Sequence, residues 1–217
     1  MVRTFALKII LNPGLAECAP QCRIVRASFA QKIPSISAYA HPLLPLLAEV
    51  FDTHLYSSDP QYHTAEYQRS LDRLSSQLEN VSIGKGPSQE DSELLQLTRL
   101  AALIYLERAS RNFSGQSAKL EAWTSKGQLI LASLNTCPAS FTLFVFGCEA
   151  HSDEERLVLL DLFTRLERAP HLQSLLEVKG LIQTAWNQHD LEDDGELEYI
   201  HKLNLVVNSR NIVPSFL

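Results

Sequence analysis

The sequence predicts an all-α protein, folded as a single irregular bundle of about seven or eight helices. Three observations predict it. Leucine dominates, with 36 residues against 21 valine plus isoleucine, and leucine favours helix where β-branched residues favour strand. Only 8 glycines occur in 217 residues, so few positions break a helix. Apolar residues recur at steps of three and four over long stretches, which places them on one face of a helix. At 45% hydrophobic and 20% charged, the chain is too apolar for disorder and long enough to bury a core without disulfide staples.

Residues 1–40 read as a basic N-terminal arm. Residues 1–48 carry five Lys/Arg (Arg3, Lys8, Arg23, Arg26, Lys32) and one acid, Glu17. Pro13, Pro20, Pro34, Pro42 and Pro45 interrupt helices between residues 12 and 45. The remainder, residues 41–217, reads as one helical domain. Its first core helix lies within His41–Leu55, entering after Pro45. Residues 61–81 give the cleanest period. Tyr67, Leu71, Leu74, Leu78 and Val81 form one apolar stripe with polar flanks. Gly84-Lys85-Gly86-Pro87 breaks the chain, and residues 82–91 read as a loop.

Ser92 is expected to cap the next helix, over 93–111. This helix is apolar around much of its circumference, which makes it central. Asn112-Phe-Ser-Gly115 stops it. Another helix spans 119–134. Phe141–Cys148 is the one stretch where a strand competes, and neighbouring helices with no obvious partner strand favour a buried helix. Ser152-Asp-Glu-Glu155 is a capping box, which starts a helix ending before Ala169-Pro170. Helices over 171–189 and 196–208 complete the bundle.

No residue stands out as catalytic, cofactor-binding or metal-binding. Cys18 and Cys22 with His41 and His54 imitate a zinc finger, but gaps of 18 and 12 residues exceed what a compact site uses. Cys137 and Cys148 read as small buried hydrophobes. Asp190-Leu-Glu-Asp-Asp-Gly195 resembles a calcium loop, yet its twelfth position is His201 where a bidentate Glu is required. His189-Asp190 evokes the metal-holding pair of helical phosphohydrolases, but no Asp follows Asp194. Lys85 lacks the flanking residues of a phosphate loop. A net charge of −6 gives no bulk field for nucleic acid or an anionic membrane. No apolar run approaches the roughly 20 residues of a membrane span.

Several blocks together carry a family resemblance. They are Ala101-Ala-Leu-Ile-Tyr-Leu-Glu-Arg-Ala-Ser-Arg111, Phe144-Val-Phe-Gly-Cys-Glu-Ala150, Ser152-Asp-Glu-Glu-Arg156, Leu166-Glu-Arg168, Ile182-Gln-Thr-Ala-Trp186 and Asp190–Gly195. In order and spacing this region, from Leu94 onward, resembles the fungal-specific transcription factor domain found downstream of Zn2Cys6 DNA-binding regions. Residues 41–93 fit the preceding helices more loosely. The resemblance implies an all-α regulatory domain without chemistry of its own, acting in the nucleus through protein partners, self-association or a small-molecule effector. The zinc cluster of that family needs six cysteines, and this sequence has four, scattered, with no Cys-x-x-Cys. It therefore looks like a regulatory half without its DNA-reading half: a truncated paralogue, a fragment of a longer product, or a protein that works by association alone. No cofactor, direct DNA contact or membrane contact is expected. A stand-alone helical adaptor or ligand-binding protein, cytoplasmic rather than nuclear, is the alternative.

Overall fold

Hydroxyl side chains start four of the helices. Thr64 Oγ1 accepts from Tyr67 N at 3.2 Å, Ser88 Oγ from Asp91 N at 3.1 Å, Ser117 Oγ from Leu120 N at 3.3 Å and Ser152 Oγ from Glu155 N at 3.3 Å. Each satisfies a backbone donor that the first turn leaves free. Glu155 Oε2 accepts in return from Ser152 N at 3.0 Å, which completes the capping box.

The structure is a computed structural model that describes residues 42–82, 88–166 and 172–191. Seven α-helices run through them: α1 (Leu43–Asp52), α2 (Ala65–Asn80), α3 (Gln89–Tyr105), α4 (Ala118–Ser133), α5 (Ser140–Glu149), α6 (Asp153–Leu166) and α7 (Leu172–Leu191). A π-helical turn, Leu106–Ser110, extends α3. No strand occurs among the described residues, so the protein is all-α. The arm at 1–40, the segment around Lys85 and the helix expected over 196–208 lie outside the described residues.

Three boundaries differ from the expectation. The cap of α3 is Ser88, not Ser92, whose hydroxyl instead donates back to Ser88 O at 3.3 Å inside the first turn. Acids at Glu90 and Asp91 face the positive end of the dipole and let the helix begin earlier, although that turn carries no apolar residue. Helix α1 starts at Leu43, two residues before Pro45. Proline is tolerated there because first-turn N–H groups have no intrahelical acceptor to lose. The third difference is the π turn, where an unbroken α-helix was expected.

Helix α3 is the centre. Leu95, Leu97, Leu100, Ala101, Ala102, Leu103, Ile104 and Tyr105 are buried along it, and it contacts α1, α2, α4 and α5. The second inner helix is α5. Phe141 to Gly147 are all buried, because α3, α4 and α7 surround it. A strand would have needed a partner for its backbone, whereas a helix satisfies its own. Helix α7 lies along α5, and α6 packs on α4 and α7. Arg165 of α6 donates to Leu134 O at 2.7 Å and Leu131 O at 3.0 Å, covering the free carbonyls at the end of α4.

Two glycines set the closest approaches. A Cβ on Gly127 of α4 would collide with the ring of Phe146 in α5, and one on Gly147 of α5 would collide with Ile182 of α7. The α4–α5 and α5–α7 spacings depend on the missing side chains.

Candidate functional site

The most polar part of the interior is built around the π turn. Residues Leu106–Ser110 widen the helix so that Arg111 N bonds back five residues, to Leu106 O, at 3.1 Å. Asn112 then takes φ = +48°, a left-handed conformation that asparagine accepts more readily than most residues, and the chain turns toward α4. Such widened turns are rare and concentrate at functional sites.

One face of the turn carries a buried ion pair. Arg108 Nε lies 3.0 and 3.1 Å from the two Glu149 carboxylate oxygens, and Arg108 Nη2 lies 2.8 Å from Oε2. Both side chains are only 4% exposed. The remaining guanidinium nitrogen donates to Phe113 O at 3.0 Å and Gly115 O at 2.6 Å. One arginine thus ties α3 to α5 and fixes the 111–117 crossover. Two charges out of water are stable only with such complete pairing. Nothing in this arrangement offers a nucleophile or a mobile proton.

The opposite face is aromatic and hydroxylated. Tyr67 Oη donates to Ser110 O at 3.0 Å and accepts from Leu55 N at 3.3 Å. Tyr62 Oη donates to Arg111 O at 2.9 Å. Burial pushes the Tyr67 phenol up to about 12, against the lowering bond from Leu55. Burial also raises Tyr105. His54 stacks edge-on against Tyr56, with ring centroids 5.2 Å apart. Desolvation lowers its pKa to about 4, although the backbone of Ala109 pulls the other way. The Tyr105 hydroxyl is buried without a partner, while the Ser110 hydroxyl lies against Tyr67 and helps to offset the rise of its phenol.

A third group of polar side chains joins α5, α6 and α7. Arg156 makes a two-pronged pair with Asp190 at 2.7 and 2.9 Å and lies 5.5 Å from the Trp186 ring centroid. The Arg156 hydrogen bond holds the Asp190 carboxyl below its usual range. Trp186 Nε1 donates to Gly147 O at 2.8 Å. His151 and His189 rings sit 4.8 Å apart, and desolvation lowers His151.

The sequence candidates fare unevenly. His189 and Asp190 occupy the last turn of α7, where Asp190 is engaged by Arg156 and His189 lies against His151. No group of three or more metal-ligating side chains forms among the described residues. Cys18, Cys22, His41, Lys85, His201 and residues 192–195 lie outside the described residues. His54 packs on Tyr56. Cys137 and Cys148 are half-buried, less enclosed than expected for small core hydrophobes, and pack against the core. Burial raises the Cys148 thiol, so it stays a thiol rather than a reactive thiolate. The Arg108–Glu149 pair was missed. Its signal was present: a lone basic residue within the apolar block 100–109 and a lone acid closing the apolar run 141–148.

No helix among the described residues is long and apolar enough to cross a membrane. The family model described as the fungal specific transcription factor domain matches residues 26–206. The "Transcription factor iacI" of Pestalotiopsis fici is 32% identical over 132 residues, which cover 61% of this chain and 34% of the relative. The match therefore spans about a third of that relative's length. No solved structure matches the chain. With most of its length inside the family model, the chain belongs to the fungal-specific transcription factor domain family.

Proposed function

We propose that residues 41–217 are the regulatory module of a nuclear transcription regulator, acting through protein association or effector binding and not through catalysis. The match of the family model over residues 26–206 carries this reading. The paired charges support it. Arg108 and Glu149 neutralise each other, and Arg156 and Asp190 do the same at the surface, which leaves a scaffold that presents surfaces. These 217 residues hold four cysteines and no Cys-x-x-Cys, so they supply no zinc cluster and make no direct DNA contact of their own.

The test is a fusion of this chain to an unrelated DNA-binding module in a fungal reporter strain. The expected outcome is a reporter level that differs from that of the DNA-binding module alone. An expressed, nuclear fusion that leaves the reporter unchanged would count against regulation. Metal analysis of the purified chain is expected to find no stoichiometric zinc, and one bound ion per chain would contradict the reading.

A further inference from the structure

The outer face of α4 is unlike those of α2 and α6. On α2 the outward residues include Glu66, Arg69, Asp72, Arg73 and Ser76, and on α6 the acids Asp153, Glu154 and Asp161 surround a lone exposed leucine, Leu157. On α4 the outward row is Ala118, Ala122, Ser125, Leu129 and Ala132. All five are exposed, and Leu129, at 75%, is the most exposed large apolar side chain among the described residues. Leu120, Gly127 and Leu131 take the opposite, buried side. The row advances by steps of 4, 3, 4 and 3 residues, the spacing of a heptad seam.

The flanks of this row differ in charge. Glu121 lies on one side, and Lys119 and Lys126 lie on the other. Lys119 reaches Glu79 of its own chain at 4.0 Å. Glu121 and Lys126 join no ion pair among the described residues. They stand five positions apart, and a single helix brings together only residues three and four apart.

We propose that the outer face of α4 pairs with the same face of a second copy of this chain, the two helices running parallel. The proposal rests on the regulatory reading above and names the partner and the surface of that module's association. Charge selects the direction. In a parallel pair, the flanking residue just before a seam position meets the residue five further on in the other helix. Glu121 of each copy then faces Lys126 of the other, and two-fold symmetry makes both contacts at once. In an antiparallel pair each flank meets its own copy, which sets lysine against lysine and Glu121 against Glu121. Every seam residue meets itself in the parallel pair. Alanine and serine let the backbones come close, and the two Leu129 side chains remove each other from water. One 16-residue helix from each chain, about 24 Å long, makes a small interface. The pair is therefore weak, with a Kd on the order of 100 μM.

Sedimentation equilibrium of the full chain is expected to show monomer and dimer exchanging near that Kd. Glu121→Lys and Lys126→Glu change exposed side chains and leave the core untouched. Each alone turns two attractive contacts into two repulsive ones and is expected to weaken pairing about tenfold. An equimolar mixture of the two variants has opposite charges at both contacts and is expected to regain the parent's affinity. Direction is read from Ala118→Cys and Ala132→Cys under mild oxidation, with the parent chain and its native thiols as the baseline. Each is expected to cross-link to its own copy, because a parallel pair superimposes both positions. An antiparallel pair cannot bring both together, since they lie 14 residues apart, about 21 Å along the helix. A chain that stays monomeric at every concentration, charge variants that pair like the parent, a mixture that does not recover, or cross-linking at fewer than both positions overturns the proposal. The reporter fusion is read separately. A silent fusion whose chain pairs counts against regulation alone, and an active fusion whose chain stays monomeric counts against the pairing alone.

Discussion

Arg108 and Glu149 lie 41 residues apart in sequence and within 3.1 Å in space. Removing one partner strands a charge in the interior. Arg108→Met or Glu149→Leu alone is therefore expected to cost about 3–5 kcal/mol in urea unfolding. The double variant should lose clearly less than the two singles added together; strict additivity would show that the two groups do not depend on each other. His54 gives a pH signature. Its folded pKa of about 4 lies below the unfolded value of 6.5. Its contribution is therefore complete above pH 6.5 and falls as the pH drops toward 4, because only the unfolded chain takes up the proton. The loss approaches about 3 kcal/mol. In acid titration followed by circular dichroism, His54→Phe should flatten this limb, and an unchanged limb would assign it to other groups. At this scale the sequence reveals what is local. The capping box from Ser152 to Glu155 spans four residues and is legible directly. The 67–110 and 108–149 encounters depend on how helices pack, and no spacing rule reaches that far.

Among the elements, the two inner glycines matter most. Gly127→Ala presses a methyl into Phe146, and Gly147→Ala presses one into Ile182. Alanine raises helix propensity, so an exposed glycine would gain from this change. Here each variant is expected to lose about 1–3 kcal/mol through overpacking, read as a lower melting temperature. A gain in either would mean that the helices separate without penalty. All seven described helices were expected, most from apolar period or caps, and α5 from its helical neighbours and the lack of a partner strand. Periodicity erred at the start of α3, where a polar first turn has no apolar period to follow. It also missed the π turn, because widening changes the hydrogen-bond ladder without changing residue type.

At the scale of the whole molecule, α7 covers α5 among the described residues. Gly147 meets Ile182, Trp186 bonds Gly147 O, and Arg156 grips Asp190. A chain ending at residue 171 would uncover the α5 face that α7 covers. It is expected to lose its cooperative unfolding transition and bind a hydrophobic dye, while a cooperative transition in that chain would make α7 an accessory. Trp186→Phe is the gentler probe. It keeps an aromatic ring but removes one of the two donors to Gly147 O, leaving Ala150 N at 3.3 Å, and about 0.5–1.5 kcal/mol should be lost. The fold class was legible from leucine content and period. What α3 and α5 surround themselves with was not, because one-dimensional patterns mark a helix as buried without naming its neighbours.

The extra residue accommodated between Leu106 and Ser110 also fixes a phase. Each residue of an α-helix advances about 100° around the axis, so deleting one here would swing the guanidinium of Arg108 away from its carboxylate and carry Ser110 off the tyrosines. Related chains should then fall into two kinds. One keeps the insertion together with both partners of the ion pair, and the other has dropped all three.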